Sequence, residues 1–203
     1  MGETPTGEQQ RRDQILNGVE GLIGRDGLQA VSMRAVAAEA GVSLRLVQYY
    51  FHTRSELLGA ALRRIADRSW QRWDERVRAR DGDSAREILE EFFAEALPTD
   101  EDSRAFHRVG VSFAALAISD PELAAAPYRS HLAALTGRLE ELLESAYQGP
   151  RRSRRDHRHE ALKLMSLAHG LGTMLMVGHI DADGAHELVN AHLDRLLAAS
   201  ASP

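Results

Sequence analysis

Cysteine is absent from all 203 residues, so neither a disulfide framework nor thiolate chemistry is available to this chain. No apolar run approaches the roughly 20 residues that a membrane-spanning helix needs. The opening stretch, MGETPTGEQQ, lacks the charged-then-apolar layout of a secretion signal, and a soluble, cytoplasmic protein that makes no membrane contact is expected. Met1-Gly2 with Thr6 formally fits an acylation pattern, but matches this short arise by chance. Repeats, Gly-Ser linkers and low-complexity tracts are missing too. So are a nucleophile elbow, a phosphate-cradling glycine loop and a paired-carboxylate arrangement. Nine histidines do not fill that gap. His157 and His159 stand two apart and His186 and His192 six apart, spacings that keep each pair off a shared helical face. No catalytic residue, metal or cofactor is expected. An all-helical hydrolase stands as the alternative from a different class, and turnover of generic ester or phosphate substrates would reveal it.

Basic charge is also scarce. The net charge is −5, divided unevenly: residues 1–80 carry 13 Arg against 10 acids, and the remainder carries 12 basic residues against 20 acids. Much of the first part's small positive excess lies after residue 60, at Arg63, Arg64, Arg68, Arg72, Arg76, Arg78 and Arg80. A nucleic-acid reader built on so modest a balance depends on correct contacts and on dimerisation more than on bulk electrostatics, because nonspecific affinity scales with the phosphates neutralised.

What the chain does contain is concentrated between Ser32 and Leu58, SMRAVAAEAGVSLRLVQYYFHTRSELL. Gly41 stands four residues after Ala37, where two short helices must approach closely and turn without a Cβ at the corner. Val36, Ala40, Val42, Val47 and Tyr50 supply a small apolar interior. Ser32 caps the first helix and Ser43 the second, while Thr53 and Glu56 form a T-x-x-E capping box that launches a third. On the second helix Val47, Tyr50 and Phe51 share one face, which leaves Leu44, Arg45, Gln48 and Tyr49 outward. Arg, Gln and Tyr on an exposed helix can meet base edges and phosphates in a major groove. A helical hairpin with a merely solvated polar face is the plainer alternative, but it does not account for glycine, caps and apolar lock at these offsets.

From about Arg12 to Leu58 the chain resembles the DNA-binding domain of TetR-family transcriptional regulators. The likeness rests on a leading amphipathic helix, Val31-Ser32-Met33-Arg34-Ala35-Val36-Ala37, Ala40-Gly41-Val42-Ser43, a Tyr-Tyr-Phe ending, and a basic residue before Glu56-Leu57-Leu58. It implies phosphate contacts from Ser32, Ser43, Tyr49, Tyr50 and Arg54 and base-edge contacts from Arg45 and its neighbours, with Leu44 and Gln48 on the same reading surface. Arg45 stands where that family commonly has glycine, and Gln48 where it commonly has tyrosine. Both changes fall on the outward face and point to an altered operator preference.

The rest of the chain reads as helical throughout, giving an all-α protein with a helix-turn-helix domain at 1–53 and a regulatory and dimerisation domain at 54–203. Thr6 with Gln9 is expected to box the first helix, whose Ile15, Leu16, Val19, Leu22 and Ile23 form one stripe closed by Gly27. A long helix follows Thr53 as far as the Asp81-Gly82-Asp83 break. Ser84 with Glu87 starts another that ends before Pro98, and a further one runs from about Asp100 to Ile118. Asp120-Pro121 opens the next. Pro127 lies deep enough in it to predict a kink or break near Ala126. Gly149-Pro150 ends that segment, and Arg151, Arg152, Arg154, Arg155 and Arg158 read as a solvated basic loop.

Two last helices are expected, from Glu160 to Val177 and after Asp181-Ala182-Asp183-Gly184. Their stripes, Leu164, Leu167, Ala168, Leu171 and Leu175, then Val189, Leu193 and Leu196, suit a four-helix seam between two copies, with Gly170, Gly172 and Gly178 allowing close approach. Packing within one subunit would use the same stripes. A two-fold dimer reading a pseudo-palindromic double-stranded operator gains the specificity that one short helix lacks. Homodimerisation through the last two helices is also what the TetR resemblance implies, and the run from Leu97-Pro98 to Asp120-Pro121 is loosely similar to betaine-regulator types. Trp70, Phe93, Phe106, His107, Phe113, His169 and Met174, with Phe92, Met165 and Met176, are large or adaptable side chains of the middle helices. They can line a small-molecule cavity or fill an ordinary core. A repressor freed from its operator by an effector there, through a tilt of the long helix, is the expected mode of action.

Overall fold

The computed structural model describes residues 7–79, 84–146 and 154–198; these hold nine α-helices, one 3-10 turn and no strand. Helix α1 (Gly7–Asp26) buries Ile15, Leu16, Val19 and Leu22. It closes at Gly27, whose φ of 81° only glycine adopts cheaply and whose N–H donates to Ile23 O at 3.1 Å. After a turn at Leu28–Ala30 come α2 (Met33–Glu39) and α3 (Leu44–Tyr50), with Gly41 at φ 63° forming the corner between them. Helix α4 (Arg54–Ala79) starts where Thr53 Oγ1 accepts from Glu56 N–H at 3.1 Å. The return bond of the expected box goes elsewhere: the Glu56 carboxylate accepts from His52 N–H at 2.9 Å, one residue before Thr53. At α5 (Ala85–Ala96) the box of Ser84 and Glu87 is complete.

Helix α6 (Glu101–Ser119) begins with Asp100 and Ser103 each accepting the other's backbone N–H, at 2.8 and 3.1 Å. Helix α7 (Pro121–Ala146) is capped by Asp120, which accepts from Leu123 N–H at 3.2 Å. Of the kink or break expected near Ala126 the break is absent, since the helix is continuous through Pro127. The ring packs over Gly59 of α4, so closely that a Cβ there would stand 3.2 Å from Pro127 Cβ; this packing offsets part of the missing backbone bond. Helix α8 (Arg154–Met176) begins six residues earlier than the sequence pattern implies. Arg154, Arg155 and Arg158 are therefore helical rather than a loop, and Arg158 lies 3.8 Å from Glu140. Gly178, at φ 71°, ends α8 with His179 N–H returning to Met174 O at 2.9 Å. Helix α9 (Ala182–Ala198) starts at Ala182 rather than after Gly184, because Asp181 is its cap and accepts from Gly184 N–H at 2.9 Å. Thr6, the Asp81-Gly82-Asp83 break, Gly149-Pro150, Arg151 and Arg152 lie outside the described residues.

Contacts divide the chain into two units, Met1–Ala66 with Arg108–His131 and Asp67–His107 with Leu132–Pro203. In the first, Ile15, Val19, Val36, Val47, Phe51, Leu57, Leu58 and Phe113 make a buried core. Gly18 lets α1 meet the end of α2, for a Cβ there would stand 3.0 Å from Ala40 Cβ and 3.1 Å from its amide nitrogen. The Gln14 amide donates to Ala40 O at 2.8 Å and satisfies a carbonyl that α2 leaves open. Arg64 ties α4 to α1 by donating to Glu20 at 2.8 Å, Asn17 at 2.7 Å and Asp13 O at 3.2 Å.

The second unit is built around Trp73, Phe92, Phe93, Leu139, Leu143, Leu164, Leu171, Val189 and Leu193. The leucine stripe of α8 and the Val189, Leu193 and Leu196 stripe of α9 are thus consumed inside one subunit. Gly172 also serves its own subunit: a Cβ there would fall 2.3 Å from the ring of His107, a buried side chain that cannot step aside freely. Gly172→Ala is expected to cost about 2 kcal/mol, within the range for overpacking, and to lower the melting temperature by roughly 4–8 °C. Differential scanning calorimetry showing no change would mean that His107 relocates at no cost.

Candidate nucleic-acid interface

Exposure on α3 follows from which of its faces the core claims. Val47 and Phe51 are buried, and Leu44 and Tyr50 are half-buried against the same cluster. Arg45, Gln48 and Tyr49 remain on the outside, with Tyr49 69% exposed. Leu44, expected outward, lies inward enough to pack on the core, because the first turn of a seven-residue helix must also seal its edge. Tyr49 and Tyr50 meet edge to face at 5.2 Å, which fixes the direction of the exposed phenol.

Ser32 and Ser43 act as N-caps, accepting from Ala35 N–H and Leu46 N–H at 3.1 Å each. A hydroxyl that accepts one backbone N–H keeps its own O–H to donate, so both exposed serines can still offer a hydrogen bond to a phosphate. Arg54 is half-buried: Nη2 donates to Gln29 O at 3.5 Å, and Nε is buried without a partner. Arg12 lies over the Phe51 ring at 5.4 Å. Arg25 grips Glu39 through two bonds of 2.9 and 3.0 Å, bracing α1 against α2 and holding the Glu39 carboxyl below its ordinary value.

Residues that hold this interface in shape escaped sequence reasoning. Gln14, Arg25 and Arg64 read as ordinary exposed polar positions. Gly18 did leave a signal, since it falls between Ile15 and Leu22 at helical spacing on the inward stripe. The arginines on α4 are not a uniform basic ridge either: Arg64 pairs with Glu20, Arg72 with Glu95, and Arg76 with Glu95 and Asp100.

Within the second unit a cavity of about 640 Å³ is lined by Trp70, Trp73, Asp74, Val77, Ile88, Arg138, Glu141 and Leu142, among others. Of the side chains expected around a ligand, Trp70 lines it. Phe93 is buried in the core beside it and Phe113 is buried in the other unit. His107 is buried and His169 exposed, their rings 5.7 Å apart, and Phe106 is half-buried. Burial and the neighbouring His169 hold the His107 ring below its ordinary pKa. Met174 is 43% exposed. Among the described residues no helix is long and apolar enough to cross a membrane, and no three His, Cys, Asp or Glu side chains gather as a metal-binding group.

Two serine-capped helices joined at a left-handed glycine, the second presenting Arg, Gln and Tyr, in a chain whose other unit is also helical, define a helix-turn-helix DNA-binding transcriptional regulator. The chain belongs to the TetR family: residues 15–61 match the model for "Bacterial regulatory proteins, tetR family" and residues 85–198 that for "BetI-type transcriptional repressor, C-terminal". It is 25% identical over 190 residues to the HTH-type transcriptional regulator PksA of Bacillus subtilis (strain 168), covering 93% of this chain and 90% of that protein. Among solved structures it is similar to a TetR-family regulator from Rhodococcus sp., with TM-score 0.77 and 24% identity over 91% of this chain and 96% of the other. A regulator from Saccharomonospora viridis in complex with choline gives TM-score 0.70 and 22% identity over 91% and 96%. These structural likenesses concern the fold.

Proposed function

We propose that the protein is a homodimeric repressor of a pseudo-palindromic operator, acting in the cytoplasm and released by a small-molecule effector. Residues 1–53 read DNA and 54–203 regulate. The observation that carries the reading is the exposed trio Arg45, Gln48 and Tyr49 on a capped helix whose opposite side is locked into the core. Arg45, Gln48 and Tyr49 contact base edges, and Ser32, Ser43, Tyr50 and Arg54 hold phosphates.

The dimer forms through α8 and α9, by their outer face rather than the stripes the subunit already buries. Leu162, Met174 and Met176 of α8, Val177 just past its end and Leu188 of α9 are exposed, and Gly170 has open space beside it, as an unpartnered apolar surface would. The effector enters the cavity at Trp70 and Trp73, a reading supported by its mix of aromatic and charged lining side chains and by the choline complex of the Saccharomonospora protein. Trp70, Trp73 and Val77 belong to α4, the same helix whose Leu57, Leu58 and Leu62 build the first unit's core, so α4 is the element through which effector binding acts.

Operator selection from a random duplex pool supplies the test sequence. Arg45→Ala is then expected to relax preference at one or two base pairs, losing about 1–3 kcal/mol on the best site and little elsewhere. Arg54→Ala should weaken all duplexes alike and reduce the salt dependence by about one ion. Parallel losses on every sequence for both variants, measured by fluorescence anisotropy against salt, would overturn this division of roles.

A further inference from the structure

The cavity of the second unit already contains a cation. Arg138, from α7, places its guanidinium carbon 5.2 Å from the ring centre of Trp70 and 5.0 Å from that of Trp73, and its Nη2 pairs with Asp74. Trp73 cannot turn away easily, because its indole N–H donates to Ile88 O at 3.1 Å. Glu141, one turn further along α7, lines the same cavity. Two carboxylates and one guanidinium thus share the lining, which carries a net negative charge around two aromatic faces.

We infer that Arg138 is a built-in competitor for an organic cation with an apolar body: the ligand's cationic head takes the Trp70 and Trp73 faces and Asp74, and the guanidinium swings to Glu141. The inference rests on the reading of this cavity as the effector site. Charge decides the ligand class. An anion reaching Arg138 would have to displace Asp74 and then face both Asp74 and Glu141, whereas a cation meets two carboxylates and two ring faces. The exchange conserves charge pairing, since each of the two cations ends beside one carboxylate. Occupancy by Arg138 also sets a threshold, because the ligand must outcompete a group whose effective concentration is that of a tethered side chain.

The two tryptophans of the chain are both in this cavity, so intrinsic tryptophan fluorescence reports on it alone. Hexyltrimethylammonium is expected to quench that fluorescence saturably, whereas hexanoate at equal concentration is not. Arg138→Gln should tighten hexyltrimethylammonium roughly tenfold, by removing the competitor while keeping both carboxylates. Glu141→Gln, at an exposed position that the fold does not need, should weaken it several-fold. Tighter binding of hexanoate than of the ammonium to the natural protein, or weaker ammonium binding by Arg138→Gln, overturns the inference. So does the absence of saturable quenching in both proteins. Operator affinity, measured separately, isolates the underlying reading: saturable binding that leaves operator affinity unchanged overturns the effector assignment and leaves the role of Arg138 standing.

Discussion

Glu95→Ala is expected to lower the free energy of unfolding by about 3 kcal/mol, a large share of the roughly 5–15 kcal/mol typical of a folded protein. Glu95 is buried, its side chain 5% exposed, between α4 and α5. Its carboxylate accepts from Ser69 Oγ at 2.7 Å and from Arg72 Nη2 at 2.6 Å, and Arg76 Nε lies 3.9 Å away. Contact with Glu95 raises the Arg72 pKa further above its already high value. Truncation would leave the buried Ser69 hydroxyl without its acceptor and two arginines without their shared anion. The loss falls at the low end of the 3–5 kcal/mol range for a broken buried pair, because Arg72 and Arg76 keep 31% and 40% exposure and can turn to water. Glu95→Gln keeps the volume and an acceptor for Ser69, so its cost should be clearly smaller. Urea unfolding at neutral pH decides the matter through the midpoint shift at constant slope. Equal losses for the two variants would show that the charge, and not the filled site, dominates.

How much of this was legible beforehand depended on the distance over which each feature is encoded. Caps are local: Ser32, Ser43, Ser84, Asp120 and Gly27 were readable because the residue and the backbone group it satisfies lie within about a turn of each other. The exposed trio on α3 was readable for the same reason, being set by which neighbours at i, i+3 and i+4 are apolar. Features fixed by a second element were not. Arg64 looks like any arginine on a polar helix face until α1 brings Glu20, Asn17 and the Asp13 carbonyl to it. Pro127 looks like a breaker until Gly59 of α4 offers a place for the ring.

The same limit explains the seam and the cavity. Apolar stripes on α8 and α9 have the spacing of an interface, but the spacing does not say whether the partner is another helix of the same chain or a second copy. Here Leu164, Leu171, Val189 and Leu193 are used internally. For the cavity, residue size alone nominated Phe93, Phe113 and Met174 together with Trp70, and only Trp70 lines it. Arg138 carried no local signal, since its partners Trp70, Trp73 and Asp74 come from α4, more than sixty residues earlier.

Leu188→Arg is expected to convert the proposed dimer to a monomer and to reduce operator affinity about 10³-fold, to the level of nonspecific binding. Leu188 is 50% exposed in the subunit, so an arginine there can send its charged end outward and disturb little internal packing. In a two-fold seam each copy of α9 lies near its symmetry mate, and a new positive charge on both sides must then be buried beside its like. The operator effect follows from half-site arithmetic. A dimer places two seven-residue reading helices on successive turns of the duplex with one loss of translational freedom, whereas a monomer must bind each half-site alone. Thermal unfolding separates this from simple destabilisation: at concentrations low enough to dissociate the natural dimer, both proteins should melt together. Multi-angle light scattering that finds the variant still dimeric, with operator affinity intact, would remove the outer face of α8 and α9 from the assembly. A monomer that kept full operator affinity would instead end the requirement for two copies.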